Sequence, residues 1–111
     1  MAGISDEFMR AKSAEARDYC LVILRKTAKR DEPGADKIAW EHGRRNFELR
    51  AGGVLSIVCP VWDGSDIAGI GIFNGSIEEI RKVMDGDPGV SAGIFTYEIH
   101  GCKGFPGDRL P

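Results

Sequence analysis

Two side chains of the sequence, His42 and Asp87, have the chemistry of a general acid–base pair. The imidazole of histidine titrates near neutral pH, which suits it for taking up and returning protons. A carboxylate that accepts a hydrogen bond from one imidazole nitrogen fixes the ring tautomer and makes the other nitrogen more basic. Each residue also has an ordinary structural explanation. A histidine on an apolar helix stripe is commonly a core residue, and an aspartate before proline is commonly a turn residue.

Four further residues are candidates for contacts with a substrate. Arg45 is one turn from His42 and could bind an anionic group, although a solvated helix face is the alternative. Gly69 and Gly71 alternate along a strand, so both face one side of a sheet and leave room either for a ligand or for close packing between sheets. Pro88 lies in the turn segment GDPGV. The GxG spacing is not a dinucleotide motif, because no helix begins there.

The sequence predicts no metal site and no cofactor. Two isolated histidines and three cysteines without CxxC spacing do not supply a zinc ligand set. Cys20 and Cys59 lie inside apolar runs and are predicted to be buried, reduced thiols. We therefore expect any chemistry to use protein side chains alone.

Composition limits the classes of partner. The chain has 42% hydrophobic and 29% charged residues, which is ordinary for a globular domain. Its net charge of −2 gives no electrostatic reason to expect nucleic acid or an anionic membrane. No apolar run approaches the length of a membrane span, and the first residues lack the apolar segment of a secretory signal. The expected location is the cytoplasm.

The elements that must position His42 and Asp87 follow from hydrophobic spacing. Apolar runs predict four strands, at residues 19–24, 54–61, 67–73 and 94–99. Capping residues and helical spacing predict three helices, at residues 5–17, 35–51 and 76–84. After the first helix the order is βαββαβ, the split βαβ arrangement of ferredoxin-like folds. Right-handed crossovers then place both later helices on one face of a four-stranded sheet.

The predicted strands are apolar on both faces, which indicates a second cover. YCLVIL, from Tyr19 to Leu24, has no polar alternate positions. Leaving such a face in water would cost about 25 cal/mol per Å² of apolar surface, and a second copy of the sheet is the simplest cover. Helix 35–51 also has two apolar sides: Ile38 and Leu49 lie within about 40° of His42, and other apolar residues lie nearly opposite. The sequence therefore predicts a homodimer.

Several segments together are similar to the YCII-related family. They are the strand YCLVILR, His42 followed by Leu49, Gly53, Leu55 and Pro60, and the segment DPGVSAGIF that begins at Asp87. The resemblance covers residues 19–99. It implies a dimeric ferredoxin-like α/β barrel, related to muconolactone isomerases and small barrel monooxygenases. It also implies a His–Asp pair in a pocket, here His42 and Asp87.

The chain departs from the family pattern at three positions. Arg45 and Asn46 replace an aromatic and an aliphatic residue after the histidine, and Gly89 replaces an aromatic residue after Asp-Pro. These changes predict an altered pocket or lid. Some members of the family act on chlorinated or hydroxylated aromatic intermediates, and the altered pocket argues against carrying their substrates over directly.

The resulting hypothesis is an α+β chain with an N-terminal helical extension at residues 1–18, a YCII-like domain at 19–100 and a C-terminal tail at 101–111. It would be a small cytoplasmic enzyme with metal-free His42/Asp87 acid–base chemistry, of lyase, isomerase or dehydrohalogenase type, acting on a small cyclic or aromatic metabolite. Arg45, Gly69, Gly71 and Pro88 would contact that substrate. Two alternatives stay open: a non-catalytic ligand-binding or regulatory barrel, and a cofactor-free monooxygenase.

Overall fold

The computed structural model describes residues 3–111, which form four strands, four α-helices and one 3₁₀ helix. In chain order they are α1 (Asp6–Ser13), β1 (Arg17–Lys26), the 3₁₀ helix (Ala28–Asp31), α2 (Ala35–Ala51), β2 (Leu55–Pro60), β3 (Ile67–Phe73), α3 (Ile77–Asp85), α4 (Pro88–Ser91) and β4 (Phe95–Gly104). Apart from α1 and the two shortest helices, the order is βαββαβ, as predicted.

The four strands form one antiparallel sheet in the order β2-β3-β1-β4. The central strand β1 places Val22 opposite Gly71 of β3 and Ile99 of β4. Helices α2 and α3 each connect two strands that are consecutive in the chain but not adjacent in the sheet, and both contribute to a single core. The predicted ferredoxin-like α+β fold is confirmed.

One face of the sheet carries the core. Residues 20, 22 and 24 of β1 are buried, whereas the alternate residues 21 and 23 are only half-buried. Helix α3 packs on the buried face with Ile80 and Met84, one turn apart. Its start is fixed by a capping box, in which Ser76 and Glu79 satisfy each other's backbone N–H groups. The burial pattern therefore separates a helix-covered face from an open face.

The open face explains why one cysteine prediction is wrong. Cys20 is buried on the covered face, and its thiol donates to the carbonyl of Gly75 over 3.3 Å. Cys59 was also predicted to be buried, but it is half-buried. It pairs with Ile70 on β3, one position out of phase with the residues that face the core. An apolar run on an edge strand does not by itself report which of its residues face the helices.

The ends of some elements differ from their predicted positions. Helix α1 ends at Ser13, and β4 continues to Gly104, which pairs with Arg17. The three glycines and two prolines of residues 101–111 predicted an irregular tail. At Gly104, however, a β-carbon would lie 2.9 Å from the ring of Tyr19, so the absence of a side chain lets that ring pack against the strand.

Within residues 3–111, none of the helices combines the length and the apolar character that crossing a membrane requires.

Candidate active site

Helix α2 holds His42 at the wall of a cavity. Ile38 and Leu49 of the same helix pack against the core, which fixes the helix on the sheet. The His42 side chain is 14% exposed and lines the cavity. Asn46, one turn later on the same face of the helix, lines it as well.

Asp87 begins the short helix α4 instead of ending in a simple turn. Its Oδ2 accepts hydrogen bonds from the backbone N–H groups of Gly89 (2.9 Å) and Val90 (3.2 Å). Pro88 occupies the first helical position, where a missing N–H costs nothing. The carboxylate is 1% exposed and rigidly held. Its second oxygen, Oδ1, is therefore free to face α2.

His42 Nδ1 lies 2.7 Å from Asp87 Oδ1. Burial is the largest influence on the carboxyl group and raises the pKa of Asp87. The hydrogen bond from His42, the charge of His42 and the amides of Val90 and Gly89 together outweigh burial, so the pKa of Asp87 lies below its ordinary value.

That ionisation state determines which nitrogen of His42 is basic. An ionised Asp87 only accepts hydrogen bonds, so Nδ1 of His42 must carry the proton that lies between them. In the neutral ring, Nε2 then has a free electron pair and is the basic nitrogen. Because Asp87 is not among the residues that line the cavity and His42 is, the basic nitrogen is the one available to a ligand.

Asn46 occupies the basic nitrogen in the absence of a ligand. Its Nδ2 lies 3.2 Å from Nε2 of His42 and donates to the electron pair of the neutral ring. A proton from a substrate can reach Nε2 only after Asn46 turns aside. The sequence marked Asn46 only as a departure from a family pattern, although its spacing of four residues from His42 is the signal that could have identified it.

Phe95 packs against His42, and Gly89 makes room for it. The two ring centroids are 5.0 Å apart with an interplanar angle of 57°. A β-carbon built at Gly89 would lie 2.4 Å from the Phe95 ring and 3.1 Å from Asp87 Oδ2. An aromatic residue after Asp-Pro, as in the resembled family, would not fit this arrangement. Phe95 instead supplies an aromatic ring from β4.

Arg45 lies behind the pair and not in the cavity. Its Nη1 is 3.8 Å from Asp87 Oδ1, too far for a hydrogen bond, and within residues 3–111 this buried nitrogen has no hydrogen-bond partner. A β-carbon at Gly86 would lie 3.1 Å from Nη2 of Arg45. The expected substrate contact is therefore replaced by packing against the segment that carries Asp87. Three positions beyond His42, the helix directs Arg45 away from the cavity and towards that segment.

The cavity lies between α2 and the half of the sheet formed by β2 and β3, and has a volume of about 770 Å³. Gly69 and Gly71 line it, and Pro88 does not. At Gly71, a β-carbon would lie 2.8 Å from the Phe73 ring and 3.1 Å from Leu55. Gly69 and Gly71 pair with Leu24 and Val22, which face the helices. The two glycines therefore lie on the helix-covered face of the sheet, where a second sheet cannot pack against them.

Within the described residues 3–111, no group of three or more His, Cys, Asp or Glu side chains is arranged to hold a metal ion.

Comparison with known proteins supports the fold. No family model matches the chain, and no curated protein matches it. A solved structure does match: the 5-chloro-2-hydroxyhydroquinone dehydrochlorinase (TftG) of Burkholderia phenoliruptrix AC1100, in complex with 2,5-dihydroxybenzoquinone. The match has 18% sequence identity and a TM-score of 0.50, and covers 73% of this chain and 90% of the other. The two chains share a fold. At this identity the likeness supports the ferredoxin-like fold and not a shared activity.

Proposed function

We propose that this chain is a YCII-related enzyme that moves protons on a small cyclic or aromatic metabolite, with His42 as the acid–base residue. Asp87 would position His42 and stabilise its charged form. The observation that carries the proposal is the 2.7 Å contact between Nδ1 and a buried carboxylate, on a histidine that lines a cavity. A structural core histidine needs neither the buried charge nor the cavity.

The reaction step would use the free electron pair on Nε2. Asn46 turns aside, and Nε2 takes a proton from carbon while the C–H electron pair forms a new double bond. In an elimination, the leaving group departs from the neighbouring carbon with its bonding electrons. In an isomerisation, the electron pair of an adjacent double bond shifts to a different carbon, and the imidazolium returns the proton to that carbon. Asp87 stays ionised throughout and offsets the positive charge on the ring.

The neighbour of known structure suggests which compounds to test first. It is named a dehydrochlorinase and was solved with 2,5-dihydroxybenzoquinone. Hydroxylated six-membered rings, with and without halogen, therefore form the first set of candidate substrates. Phe95 packs against His42, and an apolar cavity wall suits the faces of such rings.

The test begins with a thermal-shift screen of this set, followed by product analysis by mass spectrometry for each compound that binds. With a substrate in hand, His42→Gln is expected to lower kcat by about 10²- to 10⁴-fold, the range for loss of a general acid–base group. Asp87→Asn is expected to lower kcat while changing KM little. His100→Gln, at an exposed histidine outside the cavity, is the matched control and should leave both constants unchanged.

Two results would contradict the proposal. If compounds bind and none is converted by the wild-type protein, the chain is a ligand-binding module, the alternative from the sequence. If a compound is converted equally fast by wild type and by His42→Gln, the chemistry belongs to other residues.

We also propose that a second copy of the chain covers the open face of the sheet on β1, β2 and β3, and that the edge strand β4, with Glu98 and His100, stays at the exposed rim of this contact. Half-buried aliphatic side chains occupy this face on three strands: Leu21, Ile23, Ile57, Ile70 and Ile72. Light scattering at micromolar concentration should then give about twice the chain mass of 12.1 kDa. A monomer mass at that concentration would rule out the pairing.

A further inference from the structure

The side chains that line the cavity are unusually basic for this chain. Four of the fifteen Lys and Arg residues line it, but only one of the seventeen Asp and Glu residues does. The basic residues are Lys26, Arg30, Arg50 and Arg109, and the acid is Asp108. The chain as a whole has a net charge of −2. Positive charge is therefore concentrated at the cavity, although the net charge of the whole chain is negative.

Most of this positive charge is not neutralised by nearby carboxylates. Arg30 pairs with Asp36 at 2.8 Å. Within residues 3–111, Lys26, Arg50 and Arg109 have no carboxylate within 4.0 Å. All three side chains are exposed, and their charges together raise the positive potential at the cavity, which attracts an anion.

Arg50 is the cation that the fold ties to His42. It lies eight residues after His42 on α2, which is about 12 Å along the helix axis. His42, Asn46 and Arg50 share one face of the helix, and all three line the cavity. Helical side chains lean towards the N-terminus, so the long Arg50 side chain leans back towards the level of Asn46. A ring-sized molecule can therefore span the space between the guanidinium group and Nε2 of His42.

We propose that the cavity binds a small organic anion, with its carboxylate or equivalent oxyanion at Arg50 and its reacting end at His42. Arg109 of the C-terminal tail adds positive charge at the same cavity, partly offset by Asp108 beside it. The inference rests on the proposed function in taking this cavity as the substrate site. To that function the inference adds that the substrate is an anion and that Arg50 binds its negative group.

The test measures binding alone, so that failure of catalysis and failure of charge selection are separate results. Benzoate and benzamide are the probes, because they share shape and size and differ in charge. Isothermal titration or NMR shifts would measure the affinity for each probe under the same conditions. We expect benzoate to bind about tenfold more tightly than benzamide, which corresponds to about 1.4 kcal/mol.

Arg50→Gln is expected to remove this preference, lowering benzoate affinity about tenfold and leaving benzamide affinity unchanged. Arg44→Gln is the matched control, because Arg44 lies on the other side of the same helix, pairs with Glu41 at 3.1 Å and does not line the cavity. Arg109→Gln should weaken benzoate binding in the same direction by a smaller factor. It serves as the second variant if Arg50→Gln unfolds.

Three results would overturn the inference: equal binding of benzoate and benzamide, equal effects of Arg50→Gln and Arg44→Gln, or no benzoate binding at concentrations up to about 10 mM. None of these outcomes depends on turnover. The acid–base role of His42 would still be decided by the substrate screen.

Discussion

Residues 3–111 contain two histidine–carboxylate pairs with almost the same contact distance and very different surroundings. His42 Nδ1 lies 2.7 Å from Asp87, and His100 Nε2 lies 2.8 Å from Glu98. The side chains of the first pair are 14% and 1% exposed, and those of the second are 54% and 41% exposed. The distance between the two groups therefore does not distinguish a candidate active site from a surface ion pair.

The two pairs differ in the groups that hold each carboxylate in place. Asp87 is fixed by two backbone amides at the start of α4, whereas Glu98 on the open face is held by the flexible side chains of His100 and Arg25. The pKa of Glu98 is lowered mainly by hydrogen bonds from His100 and Arg25. That of Asp87 is lowered in spite of burial, which acts in the opposite direction. A preorganised, desolvated contact is costly to disturb, and a solvated one is not.

Removing each carboxylate should give the largest contrast between the pairs. Asp87→Ala leaves His42 and two backbone amides, one buried and one part-buried, without their acceptor, so we expect the free energy of unfolding to fall by about 3–5 kcal/mol. Glu98→Ala should change it little, because water replaces the lost contacts. Urea denaturation followed by circular dichroism would measure both variants.

Equal losses in the two variants would show that burial does not separate the pairs. If Asp87→Ala does not fold, Asp87→Asn keeps the volume and one acceptor oxygen. That variant should still be less stable than Glu98→Gln.

The packing that keeps water from the first pair provides the second test. Gly89→Ala would place a β-carbon 2.4 Å from the Phe95 ring, and we expect it to destabilise the protein by about 1–3 kcal/mol and to displace the ring from His42. Gly43→Ala is the control, for which we expect stability to change in the opposite direction. Gly43 lies within α2 with no atom within 4 Å of its β-carbon position, so alanine should stabilise by about 0.5–1 kcal/mol.

Thermal or urea denaturation reports the stability of both variants, and the NMR shifts of the His42 ring report whether Phe95 has moved. Unchanged stability and an unmoved ring in Gly89→Ala would mean that Phe95 does not enforce the position of His42.

The fold was predictable because its signals are local and agree with one another. The capping box at Ser76, the 3.6-residue spacing in α3 and the apolar runs of β1 and β3 all indicate the same βαββαβ order. The extension of β4 to Gly104 was not predictable, since it depends on pairing with residues 17–20 and on the packing of Tyr19.

The candidate site was predictable only in part. His42 and Asp87 were identified by residue type, resemblance and topology, and the structure brings them together. The sequence did not show that Asp87 begins a helix or that Asn46 contacts the basic nitrogen. Those contacts depend on how α2 is rotated against the segment from α3 to α4. Periodicity places residues on a face of a helix, but it does not give the rotation of one helix relative to its neighbours.

The pH dependence of stability provides a third and smaller contrast. The pKa of Asp87 is lower in the folded state than its unfolded value of about 3.9. Its contribution to stability is therefore complete above about pH 4 and is lost as the pH falls through the folded-state value. His42→Gln removes the positive charge beside Asp87, which raises the pKa of Asp87. The loss of stability should then begin at a higher pH than in wild type, as urea midpoints measured across acidic pH would show.

His100→Gln is the matched control for that series. It removes a charge at the same distance from a carboxylate, but solvent already screens the pair. Its profile should stay close to that of wild type. Identical profiles for His42→Gln and wild type would show that His42 and Asp87 are not coupled.

The smallest expected effect is the response of the two carboxyl groups to salt. In about 1 M salt the Debye length is about 3 Å, which weakens attraction between exposed charges and affects buried pairs much less. The pKa of Glu98, lowered by the exposed cations of His100 and Arg25, should therefore move back towards its ordinary value. The pKa of Asp87 should stay lowered, because its partners are the enclosed His42 ring and two fixed amides.

Carboxyl ¹³C shifts followed through acid titration at low and high salt would resolve both groups. If the Asp87 resonance responded to salt as strongly as that of Glu98, water and ions would have access to the first pair, and the difference in burial would carry no functional meaning.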